Sequence, residues 1–97
     1  MEFRRGILFI RVIGDLNKNT IKDIIDEDFK YVVINIDNIY SIDSYSIKYL
    51  NKLYKEFKKN SGNMIICDKF NLSRKLFNNI PKIDNEYEAF KLFERMI

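Results

Sequence analysis

Tyr31-Val32-Val33-Ile34-Asn35-Ile36 and, beyond a polar break at Asp37-Asn38, Ile39-Tyr40-Ser41-Ile42-Asp43-Ser44-Tyr45-Ser46-Ile47 decide the fold. The first stretch is a near-continuous β-branched and aromatic run of strand length, typical of a parallel strand covered on both faces. From Ile47 the period changes: Ile47, Leu50, Tyr54 and Phe57 recur at i, i+3, i+7 and i+10, one face of a helix. Asn60-Ser61-Gly62-Asn63 closes that helix. A buried strand feeding a long amphipathic helix is the repeating unit of an α/β sandwich with right-handed crossovers.

Working outward, Ile7-Leu8-Phe9-Ile10-Arg11-Val12-Ile13 reads as a second buried strand that stops at Gly14-Asp15. Residues 2–4 would pair with it across a turn at Arg5-Gly6. Thr20, with Asp23 three residues on, reads as the N-cap of a short helix over 20–28, with Ile21, Ile24 and Ile25 inward. Downstream, Met64-Ile65-Ile66-Cys67 is a short buried strand. A small helix over 71–79 would turn Leu72, Leu76 and Phe77 inward and close at Pro81. A short strand over 82–84 and a last helix over 86–97, with Phe90, Phe93 and Ile97 on one face, complete the chain. The expectation is a single α/β domain over 1–97: a small mixed, largely parallel β-sheet packed against about four α-helices.

Composition narrows the chemistry. The 97 residues, 46% hydrophobic, suit one modest core and argue against disorder. No apolar run approaches the ~20 residues of a membrane span, and no small-residue cleavage site follows the first strand, so no signal peptide is expected. The lone Cys67 fits a reducing cytoplasm and reads as a buried packing residue. Without histidine there is no Ser-His-Asp device, and three glycines make no Walker loop or dinucleotide fingerprint. Isoleucine, lysine and asparagine supply 39 of 97 residues, which points to an AT-rich coding sequence.

Chemistry concentrates at the strand-to-helix turn, where free backbone N–H groups and the positive end of the helix dipole reach the surface. Two readings stand there. Asp43 or Ser44 is an N-cap and nothing more, or Ser44 is an exposed hydroxyl placed for modification, where a phosphate would bring about −1.5 to −2 charges.

The ordered set Gly14-Asp15-Leu16-Asn17, Ile42-Asp43-Ser44-Tyr45-Ser46-Ile47, Gly62-Asn63-Met64-Ile65-Ile66-Cys67 and Ser73-Arg74-Lys75-Leu76-Phe77 resembles the STAS-domain family of bacterial anti-sigma factor antagonists. That family's pattern runs Gly-Glu-Leu-Asp, then Met-Asp-Ser-Ser/Thr-Gly-Leu, then a Gly-Gly-x-hydrophobic strand. The resemblance implies a cytoplasmic, non-catalytic protein, monomeric when free, that binds an anti-sigma factor and releases a sigma factor. It implies phosphorylation of Ser44 by that partner, which is itself an ATP-dependent serine kinase, with a phosphatase as a further partner. Partner contacts would fall on Asp15, Asn17, Asp43, Ser44, Tyr45, Ser46, Ile47 and Lys48. No cofactor and no metal is implied for the chain itself. Three positions depart from the family: Asn17 replaces the aspartate, and Tyr45 and Ser46 replace Ser/Thr and Gly. Tyr45 and Ser46 favour the alternative, a STAS-type scaffold or accessory subunit that binds a protein or small ligand without phosphorylation. An enzyme reading fares worst, because one Ser-Asp pair without a suitable base is not an active site.

Lys48, Lys52, Lys55 and Lys59 lie at i, i+4, i+7 and i+11, a basic stripe nearly opposite the apolar face of their helix. It could attract nucleic acid, an anionic surface or an acidic protein partner, but its simplest reading is a solvated face in a lysine-rich chain, and no nucleic-acid motif accompanies it. The acidic residues Asp23, Asp26, Glu27, Asp28, Glu86 and Glu88 read as helix-end and surface charges.

Overall fold

The two long apolar runs lie side by side in parallel. In the computed structural model, which describes residues 1–21, 29–71, 76–77 and 79–97, β2 (Ile7–Leu16) pairs with β3 (Tyr31–Ile42), Ile7 opposite Tyr31 and Ile10 opposite Ile34. β4 (Asn63–Cys67) adds in parallel on the other side of β3, and β5 (Lys82–Ile83) adds in parallel beyond it. β1 (Glu2–Arg4) pairs antiparallel with β2 through a two-residue turn. Both turn residues, Arg5 (φ 50°) and Gly6 (φ 83°), are left-handed, which suits the twist of a tight hairpin. The sheet order is β1-β2-β3-β4-β5.

Because the strands are in register, alternate residues face opposite layers. Leu8, Ile10, Val32, Ile34, Met64 and Ile66 pack on one face with Leu50 and Phe57 of α2 (Ser44–Lys59) and Ile21 of α1 (Lys18–Ile21). Ile7, Phe9, Val33, Ile65 and Cys67 pack on the other with Ala89 and Phe93 of α3 (Glu86–Glu94). Burial there pushes the Cys67 thiol up to about 12, with the nearby charges of Glu86 and Asp37 adding to it, so it stays protonated at neutral pH. Arg11 pins α3 to the sheet through Glu86, at 2.6 and 2.9 Å, and also holds Glu2 at 3.0 Å. Burial pushes the Glu86 carboxyl up, yet the bonds from Arg11 and Asn35 outweigh it and hold it below the usual carboxylate range.

The largely parallel α/β sheet, the hairpin and the strand at 82–83 match the reading of the sequence. Several boundaries do not. β3 passes through Asp37-Asn38 instead of stopping, because two bulges each place an extra residue on it: Arg11↔Asn35 is followed by Ile13↔Asn38, and Gly14↔Ile39 by Asp15↔Ser41. The Asp37 amide, out of the ladder there, donates to Asn35 Oδ1 at 2.8 Å, and its carboxylate accepts from the Lys69 amide at 2.7 Å. β2 likewise runs past Gly14 to Leu16.

α1 starts earlier than expected, since Asn17 and not Thr20 is its cap. Asn17 Oδ1 accepts from the amides of Asn19 and Thr20, while Thr20 Oγ1 accepts from the Asn17 amide at 2.9 Å. α3 ends at Glu94, so Ile97 leaves the helical face and is 64% exposed. The described residues hold three helices rather than about four. The helix expected over 71–79 lies mostly outside them, as do Ile24 and Ile25, but Phe77 is buried and Leu76 half-buried.

α2 closes with Ser61 left-handed (φ 63°) and the Gly62 amide donating to the Phe57 carbonyl at 2.7 Å. Glycine is required at 62 for another reason: a Cβ there would run into the carbonyl of Lys30. Gly62→Ala should therefore destabilise the domain although no positive φ is at stake. Leu50→Ala, which empties a fully buried position under α2, should cost about 2–5 kcal/mol. Urea unfolding of both variants checks the packing, and a Leu50→Ala variant as stable as the parent would mean that α2 is rotated from this arrangement.

Candidate functional site at the start of helix α2

The bulges deliver the end of β3 to the end of β2. The Asp43 amide donates to the Leu16 carbonyl at 3.1 Å, and Ser41 Oγ donates to Asp15 Oδ1 at 2.7 Å. The chain then turns into α2 with Asp43, in extended conformation, as its N-cap. Asp43 Oδ1 accepts from the Ser46 amide at 2.8 Å, and Oδ2 accepts from the Lys18 amide at 3.2 Å, so one carboxylate joins the starts of two helices. The Ser46 hydroxyl sits beside the same carboxylate without the alignment of a hydrogen bond. The Ser46 side chain and then its amide hold the Asp43 carboxyl below the usual range, against the opposing effect of burial, and the Lys18 amide adds to them.

The residues read from the sequence come together here in three different settings. Asp15, Ser44, Tyr45 and Lys48 are exposed. Asn17, Asp43 and Ile47 are half-buried, the first two occupied as caps and Ile47 packed against the core beneath α2. Ser46 is 0% exposed, so its side chain faces the core and offers no surface to a partner. Its Cβ therefore does not obstruct an approaching chain.

Of the two cap candidates Asp43 is the cap; Ser44 is the first helical residue, with its side chain in solvent. Tyr45, 40% exposed, stacks on Tyr49 with ring centroids 6.4 Å apart, and the Lys18 ammonium lies 5.8 Å from the Tyr45 ring centre. The Ser41–Asp15 bond and the role of Lys18 were not read from the sequence, since both depend on the bulged register. The Asn17-x-x-Thr20 spacing is a capping pattern that could have placed α1 correctly.

Among the described residues no group of three or more His, Cys, Asp or Glu side chains converges as a metal site. No helix of the described residues is long and apolar enough to cross a membrane. A cavity of about 610 Å³ lies at the far end of α2, between Phe29, Leu53, Phe57 and Gly62, away from Ser44.

A mixed α/β domain that presents one exposed serine at the first turn of its central helix, over the carboxyl ends of its parallel strands, defines a class of small domain built around that junction. The chain belongs to the STAS domain family, whose model matches residues 1–80. An anti-sigma F factor antagonist from Paenibacillus polymyxa is 28% identical over 109 residues, covering 97% of this chain and 92% of that protein. The solved structure of the anti-sigma factor antagonist SpoIIAA in its unphosphorylated form shares the fold, with a TM-score of 0.80 at 18% identity, covering 100% of this chain and 96% of that one.

The site makes two substitutions informative. A carboxyl whose pKa is lowered by folding stabilises the native state fully above its unfolded pKa and loses that contribution as pH falls through its folded pKa. Asp43→Asn should thus be less stable than the parent at neutral pH, and the gap should close as the solution is acidified below the ordinary carboxylate range. Ser46→Ala removes the buried hydroxyl that helps hold the Asp43 carboxyl low. At neutral pH it should be less stable than the parent by no more than about 1 kcal/mol, while the Asp43 pKa, followed by NMR, rises. An Asp43 titration unmoved by Ser46→Ala would refute the placement of that hydroxyl.

Proposed function

We propose that this chain is an anti-sigma factor antagonist: it binds an anti-sigma factor, frees a sigma factor, and is switched off by phosphorylation of Ser44. The observation that carries this reading is the exposure of Ser44 at the first position of a helix whose end is already tied down by Asp43. Membership of the STAS family and the likeness to an anti-sigma F factor antagonist support it. The anti-sigma factor is the kinase, ATP is its substrate, and a phosphatase restores the active form. The chain is a ligand and a substrate in the cytoplasm, not a catalyst, and is a monomer when free.

The physics of the switch follows from position. A phosphate on Ser44 adds about −1.5 to −2 charges at a helix N-terminus, where the dipole favours it by about 0.3–1 kcal/mol. The fold survives. Burying the same charge under a partner without a matching cation costs several kcal/mol, and a loss of about 2.7 kcal/mol already weakens binding a hundredfold.

Incubation with the cognate anti-sigma factor and ATP should add one phosphate, mapped to Ser44 by fragment mass spectrometry and abolished by Ser44→Ala. Because Asp43 is the cap, Ser44→Ala should change stability by less than about 0.5 kcal/mol. Calorimetric titration should then show the phosphorylated form about a hundredfold weaker than the unmodified one. Phosphate found only on Ser41 or Tyr45 would place the switch elsewhere. Equal affinities for the two forms would instead establish the binding module without a switch, the reading that exposed Tyr45 beside Ser44 favours.

A further inference from the structure

Ser44 stands in line with Lys48, Lys52, Lys55 and Lys59. At 100° per residue the five positions fall within about 80° of one another around α2, and they form a ridge about 22 Å long. All five side chains are exposed. α2 holds five of the twelve lysines of the chain but one of its fourteen acidic residues, so its net charge of +4 exceeds the +3 of the whole sequence. An AT-rich coding sequence raises the number of lysines; it does not collect them on one helix or keep acids off their ridge.

The ion pairs among the described residues, Arg4–Glu2, Arg5–Glu94, Arg11–Glu2 and Arg11–Glu86, join β1, the hairpin turn, β2 and α3, and none includes an α2 lysine. Like charges at i and i+4, as in Lys48/Lys52 and Lys55/Lys59, weaken an isolated helix. Among the described residues the ridge is therefore a row of cations without an ion pair, flanked on α2 by the single acid Glu56, and it begins at Ser44.

Resting on the reading of Ser44 as the partner-facing serine, we infer that the anti-sigma factor docks along this ridge and meets it with an acidic surface. The shared face makes the chemistry of the switch specific. A phosphate on Ser44 puts its charge at the head of the ridge, one turn from Lys48, where it confronts the partner's carboxylates and draws Lys48 away from them. Docking and release then read the same row of charges. A nucleic acid or an anionic membrane would also be drawn to lysines, but neither gives Ser44 a reason to head the row.

The test uses the full chain with Lys52→Glu/Lys55→Glu and Lys52→Gln/Lys55→Gln, which leave Ser44 and Lys48 in place and lie on the solvated side of α2. Each is titrated with the purified cognate anti-sigma factor at about 50 and about 300 mM salt, with circular dichroism as the folding control. Charge reversal should weaken binding at least tenfold at low salt and less at high salt, with the glutamine variant in between. If the parent binds and Ser44 phosphate releases it while the reversed variant binds like the parent, the ridge inference fails and the function stands. If the reversal instead abolishes binding to duplex DNA or to phosphatidylserine vesicles and leaves the anti-sigma complex intact, the inference is likewise overturned. A parent chain that binds no anti-sigma factor overturns both readings.

Discussion

Asp43 divides its two carboxylate oxygens between two helices: Oδ1 takes the Ser46 amide at the start of α2, and Oδ2 takes the Lys18 amide at the start of α1. Everything at the junction is positioned by that arrangement. It fixes where α2 begins, and so leaves Ser44 outside and turns Ser46 inside. The carboxylate reaches Lys18 only because two bulges bring the end of β3 beside Leu16. A straight ladder with no extra residues would end β3 out of step with β2 and would not set Asp43 over the start of α1. The irregular pairing is thus what builds the site.

The ion pairs among the described residues join β1, the hairpin turn, β2 and α3, and none involves α2. On the α3 side arginines and glutamates satisfy one another, with Arg11 between Glu2 and Glu86 and Asn35 also donating to Glu86. Those groups hold the last helix to the sheet. On the α2 side the lysines have no such partners among the described residues, and the exposed serine shares their face. The ion pairs that hold α3 and the exposed Ser44 therefore occupy opposite layers of one sheet, and a charge added at Ser44 does not compete with those pairs.

Much of this was legible in the residues. Runs such as Val32-Val33-Ile34 and Met64-Ile65-Ile66 can only be satisfied by cover on both faces, and the helical spacing of Leu50 and Phe57 names the face of α2 that covers one of them. What could not be read was register. Asp37-Asn38 looks like a strand end, and only the partner strand shows that Asn35 absorbs the freed amide and lets β3 continue. The inward turn of Ser46 was hidden as well, because a small polar residue in the first turn of a helix gives no periodic signal. The Ser41–Asp15 bond spans 26 positions in the chain and follows from the second bulge.

Under the proposed function, the charge state of Ser44 alters a surface and leaves the fold alone. Amide NMR spectra of the chain with and without phosphate on Ser44 test this most directly. Shifts confined to residues 15–18 and 41–48, with the amides of β4 and α3 unmoved, are the result expected. Shifts spreading through β4 and α3, or loss of signal dispersion, would mean that the phosphate acts by remodelling the domain, and would contradict a switch that works at the surface.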